Sequence, residues 1–134
     1  MAYMNTERKR QLSPAINRIL KSNGLSGTLS VKNNLTLVLT IRSGWLDFIG
    51  NFNETVTQNL QSYDRFTPAT GYIQVNEHHL DHAFSGEALR ILEELKAAMM
   101  DGNWNDSDIQ TDYFNVGWYI SIRIGRYDRP YLIK

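Results

Sequence analysis

The sequence predicts a single α+β domain in which one antiparallel sheet of about four strands carries helices on one face. Three patterns predict this class: a hairpin around Asn33-Asn34, an amphipathic helix after Ser85, and a long alternating strand near the C-terminus. The elements are expected in the order α-β-β-α-β-α-β. A chain of 134 residues has room for one domain, so we assign residues 1–134 to it.

The first helix is predicted to begin at Ser13, an N-cap residue followed by Pro14 at the position where a missing N–H costs nothing. Apolar residues recur at helical spacing until Gly24, which supplies the stop. The sequence leaves two alternatives for residues 1–11: a flexible arm, or one further helical turn over Thr6–Gln11.

The hairpin follows directly. Polar and apolar residues alternate through Thr28–Lys32 and again through Leu35–Arg42, with Asn33-Asn34 between them. Because asparagine tolerates positive φ, this pair predicts a two-residue turn. The return strand would begin at Leu35 and end at Ser43-Gly44.

The middle of the chain is less regular. Asn53 is a candidate cap for a short helix, Pro68 indicates a loop, and Tyr72–Val75 is a short strand. Ser85 is the predicted N-cap of the strongest helix, and Gly102 ends it. The apolar stripe of that helix consists of Ala88, Ile91, Leu92, Leu95 and Met99.

The most regular pattern in the chain is a strand predicted over residues 114–124. Its side chains alternate strictly, which indicates one buried and one exposed face. Gly117 would mark a bulge or the close approach of another backbone. The set that points one way is Phe114, Val116, Trp118, Ile120, Ile122 and Ile124.

The composition excludes several classes of protein. Fourteen basic and fourteen acidic side chains give a formal net charge of zero, which argues against a DNA mimic and against a uniformly basic nucleic-acid-binding protein. Without cysteine there is no disulfide, zinc–thiolate site or thiol catalyst. No apolar run approaches a membrane span and the first residues lack a signal-peptide core, so we expect a cytoplasmic protein with no membrane partner.

Charge is uneven along the chain even though it sums to zero. Residues 1–42 have seven basic groups and one acidic group, a balance of +6. Residues 43–112 have three basic and twelve acidic groups, a balance of −9, and residues 113–134 have a balance of +3. Folding would either mix these blocks into mutual neutralisation or leave a dipolar surface that steers a charged partner.

Two histidines form the weak candidate metal site of this sequence. On a helix, His78 and His82 would share a face at a spacing that binds a divalent metal. The favoured interpretation is a pair of solvent-exposed histidines near a helix start. No cofactor or metal is therefore predicted, and the lack of phosphate-loop, nucleophile-elbow and calcium-loop patterns indicates that the protein is not an enzyme.

Tyrosine and arginine crowd the last strand and the segment after it. Both residue types are typical of protein interfaces, and the same pairing stacks on bases and neutralises phosphates. The alternative is that the tyrosines cover the outer face of the sheet while the arginines pair with the acidic middle block. The predicted contact residues are Tyr119, Arg123, Arg126, Tyr127, Arg129 and Tyr131, with Trp104, Asp106 and Asp108 as a second patch.

The segment Ser107–Tyr119, together with Tyr72–Asn76, Phe84-Ser85-Gly86 and Gly125–Tyr131, resembles uncharacterised small proteins of large tailed bacteriophages and related mobile elements. Those proteins are in turn similar to a domain of the large polyvalent proteins of phages and plasmids. The resemblance covers roughly residues 12–131 and brings no catalytic motif. It implies a context in which a protein protects invading DNA or disarms host defence.

On these grounds we expect a non-enzymatic counter-defence protein that binds and inhibits a host defence complex of the anti-CRISPR or anti-restriction type, in the host cytoplasm. If the target binds nucleic acid, the acidic block would occupy its basic groove. The alternative is a single-stranded nucleic-acid-binding module in which the same tyrosines stack on bases. A metal-dependent enzyme ranks last, and a homodimer through the sheet edges stays open.

Overall fold

The computed structural model describes residues 4–60, 65–103 and 117–134, and it confirms the α+β class. In chain order the elements are α1 (Thr6–Ser22), β1 (Leu25–Lys32), β2 (Thr36–Gly44), α2 (Phe48–Asn59), β3 (Ile73–Val75), α3 (Leu80–Ala83), α4 (Gly86–Met99), β4 (Tyr119–Ile124) and β5 (Leu132–Ile133). The short elements α3 and β5 are additions to the predicted order.

The sheet is mixed, whereas the sequence predicted antiparallel pairing throughout. β1 and β2 form the antiparallel hairpin, β4 lies parallel to β2, and β3 pairs antiparallel with β4, which makes the spatial order β1-β2-β4-β3. β5 pairs parallel with Ser43 and Gly44 at the end of β2. The prediction failed because alternation within a strand reports which face is buried and carries no information about the direction of its neighbour.

The first helix begins earlier than predicted. Asn5 is its N-cap, since the Asn5 side-chain oxygen accepts the N–H of Arg8 at 2.8 Å. Ser13 and Pro14 therefore lie inside α1, and Thr6–Gln11 is helical. Of the two alternatives left open by the sequence, the structure selects the further helical turn.

The hairpin is confirmed, with one correction at its turn. Asn33 and Asn34 both have a φ of 55°, as predicted, but Leu35 belongs to the loop and donates its N–H to the Lys32 carbonyl at 3.0 Å. The fully buried Met4 donates its N–H to the Asn34 carbonyl at 2.7 Å. This bond ties the start of α1 to the hairpin turn.

The second helix also begins earlier than predicted. Asp47 is its N-cap and accepts the N–H of Gly50 at 2.8 Å. Asn53, the predicted cap, lies inside α2, where its side-chain amide bonds to both the N–H and the carbonyl of Ala69 at 2.8 and 2.9 Å. An asparagine that looks like a cap in sequence thus anchors the loop that leads to β3.

The helix after Ser85 confirms the prediction in both position and face. It ends at Met99, and Gly102 adopts a φ of 79° just beyond it. Ser85 forms no side-chain cap bond; instead the Asn51 amide of α2 bonds to its N–H and carbonyl at 3.0 and 3.1 Å. The predicted stripe is fully buried at Ala88, Ile91, Leu92, Leu95 and Met99.

The last long strand is shorter in the described structure than predicted. β4 covers Tyr119–Ile124, and residues 114–116 lie outside the described part of the chain. Trp118 is buried just before the strand and donates its indole N–H to the Met99 carbonyl at 3.0 Å. Ile120, Ile122 and Ile124 all point into the core, as the alternation predicts.

One hydrophobic core lies between the helices and one face of the sheet. The sheet contributes Leu37, Leu39, Ile41, Ile120, Ile122 and Ile124, and α1 contributes Leu12, Ile16 and Leu20. Phe48 packs edge-on against Phe84 and against Tyr131, with ring centroids 6.4 and 5.7 Å apart. The opposite face is exposed along β1 and partly exposed on β4, while Val38 and Thr40 of the central strand β2 are only 3% and 8% exposed.

Candidate functional site

A row of polar side chains crosses four strands on the sheet face opposite the core. The strand register aligns Thr28 of β1 with Thr40 of β2, Thr40 with Arg123 of β4, and Arg123 with Gln74 of β3. The side chains of this row alternate with core residues along each strand, so the row lies on the outer face. We call this surface the outer sheet face.

The segment after β4 forms a tight turn. Arg126 and Arg129 exchange backbone hydrogen bonds of 2.9 and 3.1 Å, which closes a four-residue turn. Tyr127 lies in this turn, and 86% of its surface is exposed. A large aromatic ring in that setting is available to a partner, and we refer to residues 126–129 as the C-terminal turn.

The base of the C-terminal turn is fixed by backbone contacts. Gly125, with a φ of 68°, donates its N–H to the Ile41 carbonyl at 2.8 Å. Tyr131 donates its N–H to the Gly71 carbonyl, also at 2.8 Å. These two bonds attach both ends of the turn to the sheet and its preceding loop.

An open groove of about 970 Å³ lies between the outer sheet face and the C-terminal segment. Hydroxyl groups line one part of it: Ser26, Thr28, Ser30, Thr40 and Ser43. The charged lining consists of Arg42, Arg123, Arg126, Arg129, Lys134 and a single acidic residue, Asp128. We call this the basic groove, because its cations outnumber its one carboxylate five to one.

Most of this positive charge has no ion-pair partner among the described residues. Arg126 lies 3.6 Å from Asp128, while Arg42, Arg129 and Lys134 form no ion pair within residues 4–60, 65–103 and 117–134. The groove unites the two positive blocks of the sequence, since the parallel pairing of β2 and β4 places Arg42 near the C-terminal arginines. The alternative in which these arginines pair with the acidic middle block does not hold for the described residues.

A second, smaller groove of about 400 Å³ has the opposite charge. Glu77, Asp81 and Glu93 line it, and its one lysine, Lys96, donates from Nζ to the Glu77 carbonyl at 2.7 Å. The acidic block therefore contributes a separate surface beside α3 and α4. The two grooves therefore differ in the sign of their charge, while Arg90 of α4 pairs with Glu87 and Glu94 outside both of them.

Five of the predicted contact residues lie on the accessible surface around the outer sheet face. Tyr119 is half exposed, and it pairs with Thr36 across the sheet. The others are Arg123, which is partly exposed, and Arg126, Tyr127 and Arg129, which are exposed on the C-terminal turn. The second predicted patch, Trp104, Asp106 and Asp108, lies outside the described residues.

Tyr131 is a correction, because the structure places it in the core. Only 6% of its surface is exposed, and its hydroxyl donates to the Leu46 carbonyl at 2.7 Å. Burial, with a smaller contribution from the Asp47 charge, raises the pKa of Tyr131 to about 12. Tyr131 therefore anchors the C-terminal turn to the core, and its side chain is too buried to contact a partner.

This burial makes stability depend on alkaline pH. The unfolded chain releases the Tyr131 proton near its ordinary pKa of 10, whereas the folded chain holds it until about 12. The stabilisation is therefore complete below pH 10 and is lost as the pH rises through 12. We expect Tyr131→Phe to lower the free energy of unfolding by about 1 kcal/mol at pH 8, the contribution of the hydroxyl hydrogen bond. Between pH 8 and pH 11 the free energy of unfolding should fall less in this variant than in wild type.

Urea denaturation at pH 8 and at pH 11 measures both effects. Tyr127→Phe is the matched control, since it removes an exposed phenol and keeps Tyr131. Equal alkaline losses in wild type and in Tyr131→Phe would contradict the assignment.

The two candidate histidines, His78 and His82, do not lie on one helix. The premise that they share a helix face is wrong, because α3 begins at Leu80 and His78 precedes it. His82 stacks on His79, with ring centroids 5.2 Å apart, while His78 lies 3.5 Å from Glu77. In the part of the chain that the structure describes, no three metal-ligating side chains converge.

Sequence reasoning missed three residues of the site. Arg42 and Lys134 line the basic groove but stand alone in their local sequence, and Gln74 lies beside Arg123. The signal for Arg42 was its place in the first positive block. Its proximity to the C-terminal arginines depends on the parallel pairing, which the sequence did not predict.

A comparison of this chain with protein-family models, with curated proteins and with solved structures returns no match. The geometry of the grooves and of the C-terminal turn is therefore the basis for any functional proposal.

Among the described helices, none is both long enough and apolar enough to cross a membrane.

Proposed function

We propose that this protein binds single-stranded nucleic acid along the basic groove and the outer sheet face. The observation that carries the proposal is the groove lining, which combines five cationic side chains and five hydroxyl-bearing residues with one carboxylate. Lysine and arginine in a groove neutralise successive phosphates, and hydroxyl groups donate hydrogen bonds to phosphate oxygens.

Exposed tyrosines on the sheet and in the C-terminal turn support the single-stranded form of the ligand. Tyr119 is 50% exposed on β4 and Tyr72 is 36% exposed beside β3. Both lie near the outer sheet face, and Tyr127 extends from the C-terminal turn. Unpaired bases stack on such rings with little sequence preference, whereas duplex bases are already stacked.

Oligonucleotide binding at varied salt tests this function. We expect fluorescence anisotropy to show an affinity that falls with salt, with a log–log slope of about −2 to −4 for three to five neutralised phosphates at about −0.7 each. A duplex of the same sequence should bind more weakly. Absence of binding, or an affinity independent of salt, would overturn the proposal.

A second candidate is a phage or mobile-element counter-defence protein that binds and inhibits a host defence complex, in the host cytoplasm. The observation that favours it is the C-terminal turn, which combines the 86% exposed Tyr127 with Arg126 and Arg129. Tyrosine and arginine contribute most of the energy in many protein interfaces.

Capture from a host lysate treated with nuclease separates the two candidates. A stoichiometric protein partner that survives nuclease and is lost with Tyr127→Ala supports inhibition of a host complex. Partners that disappear with nuclease support nucleic-acid binding alone.

A further inference from the structure

We propose that Arg123 is the phosphate-anchoring residue of the basic groove and that Gln74 is the residue that positions it. The inference rests on the proposed nucleic-acid binding and names the group that the ligand presents at this point: a phosphate oxyanion. Three observations carry it: the fixed orientation of the Gln74 amide, the hydrogen bond that its oxygen accepts from Arg123, and the place of Arg123 among the groove cations.

The Gln74 amide is held in one orientation. Its Nε2 donates to the Ser121 hydroxyl at 2.9 Å and to the Ile122 carbonyl at 3.4 Å. Because the nitrogen is used on that side, Oε1 faces Arg123, and it also accepts the Tyr72 hydroxyl at 3.4 Å. The amide is thus fixed to β4 from the neighbouring strand β3.

Arg123 donates from Nε to this Oε1 at 3.2 Å. That bond restrains the guanidinium plane without neutralising it, since glutamine carries no charge. Within residues 4–60, 65–103 and 117–134 the two terminal nitrogens of Arg123 have no acceptor. A planar pair of N–H groups held at one edge matches two oxygens of a phosphate.

The surroundings favour an anion at this point. Arg123 lines the basic groove with Arg42, Arg126 and Arg129, and its register partner on the other side is the Thr40 hydroxyl. The single carboxylate of the groove, Asp128, pairs with Arg126 at 3.6 Å and leaves Arg123 unpaired within the described residues. We expect Arg123 to bind one phosphate of the nucleic-acid strand, while neighbouring phosphates of the same strand contact the other cations of the groove.

A double-mutant cycle on oligonucleotide binding tests the positioning role. With a dT oligonucleotide of about 10 nucleotides, we expect Arg123→Gln to weaken binding about tenfold and to reduce the salt slope by about 0.7, the value for one phosphate. Gln74→Ala should weaken binding about threefold to fivefold with the slope unchanged, because it removes orientation and no charge. In the Arg123→Gln background, Gln74→Ala should have no further effect.

The controls and contrary outcomes are distinct. Gln58→Ala removes an exposed glutamine from α2 and should bind like wild type. Wild-type affinity in Gln74→Ala, or an equal loss in both backgrounds, would overturn the positioning role while leaving nucleic-acid binding intact. An unchanged slope in Arg123→Gln would overturn the anchor.

Inorganic pyrophosphate separates the anchor from the proposed function. Titration of wild type, followed by the Nε–H resonance of Arg123 in NMR spectra, should show a saturable shift that weakens in Gln74→Ala. If this shift occurs and no oligonucleotide binds, the anchor stands and the proposed function fails. If polyglutamate shifts the resonance and pyrophosphate does not, the phosphate assignment is wrong.

Discussion

Replacing Arg42, Arg123 and Arg129 together with glutamine is expected to lower the affinity for single-stranded oligonucleotides about a hundredfold. All three line the basic groove and none forms an ion pair with a described residue. Each charge-assisted phosphate contact is expected to contribute about 1 kcal/mol, and about 3 kcal/mol corresponds to roughly two orders of magnitude. The salt slope should become less negative by about 2, since three phosphates are no longer neutralised.

A matched triple variant distinguishes the groove from charge in general. Lys9, Arg18 and Lys21 lie on α1, outside the basic groove, and their replacement by glutamine removes the same charge. Anisotropy titrations at several salt concentrations should show near wild-type affinity and slope for this control. If the two triple variants lose affinity equally, binding depends on net charge and the groove has no special role.

The second large effect is expected at Gly125, where an alanine should destabilise the fold by about 2 to 5 kcal/mol. Its φ of 68° alone costs a residue with a side chain roughly 1–2 kcal/mol. A Cβ at this position would also overlap the Gly71 carbonyl and approach the Tyr131 nitrogen to 2.6 Å. Those two atoms form the hydrogen bond at the base of the C-terminal turn, so crowding adds about 1–3 kcal/mol.

Gly86→Ala is the control for this position. Gly86 has a similar φ of 59°, but no atom lies within 4 Å of the site of its Cβ. Urea denaturation should therefore show a loss of only about 1–2 kcal/mol, the backbone cost alone. Equal losses at the two glycines would mean that a Cβ at position 125 is accommodated without crowding Gly71 and Tyr131.

Local sequence patterns predicted which helices and strands form more accurately than they predicted the residues where these elements begin and end. The buried stripe of α4 and the alternation of β4 follow from the periodicity of apolar residues, which packing against one core requires. The starts of α1 and α2 were wrong because Asn5 and Asp47 compete with Ser13 and Asn53, and all four residue types are good caps. Only the tertiary contacts of the Asn53 amide with Ala69 reveal its actual role.

The candidate site was half predictable. Arg126, Tyr127 and Arg129 form a contiguous exposed turn, so their local sequence was enough to single them out. Tyr131 belongs to the same run but points inward. Its N–H bonds to the Gly71 carbonyl and its ring packs on Phe48, and both of these residues are distant in sequence. Arg42 and Gln74 reach the site through strand pairing, a non-local property that no local pattern encodes.

The parallel pairing of β2 with β4 also has a consequence for how the protein acquires its binding surface. It joins Thr36 to Tyr119, which are separated by more than half of the chain. The sheet is therefore completed by a contact between residues that are very distant in sequence. Contacts of this kind form slowly, because the chain between the two strands loses conformational entropy before the contacts stabilise the fold. The β1–β2 hairpin and the helices can form from neighbouring residues, whereas the basic groove exists only after that closure. Ligand binding should therefore report complete folding: partly folded molecules would retain helical structure and yet fail to bind.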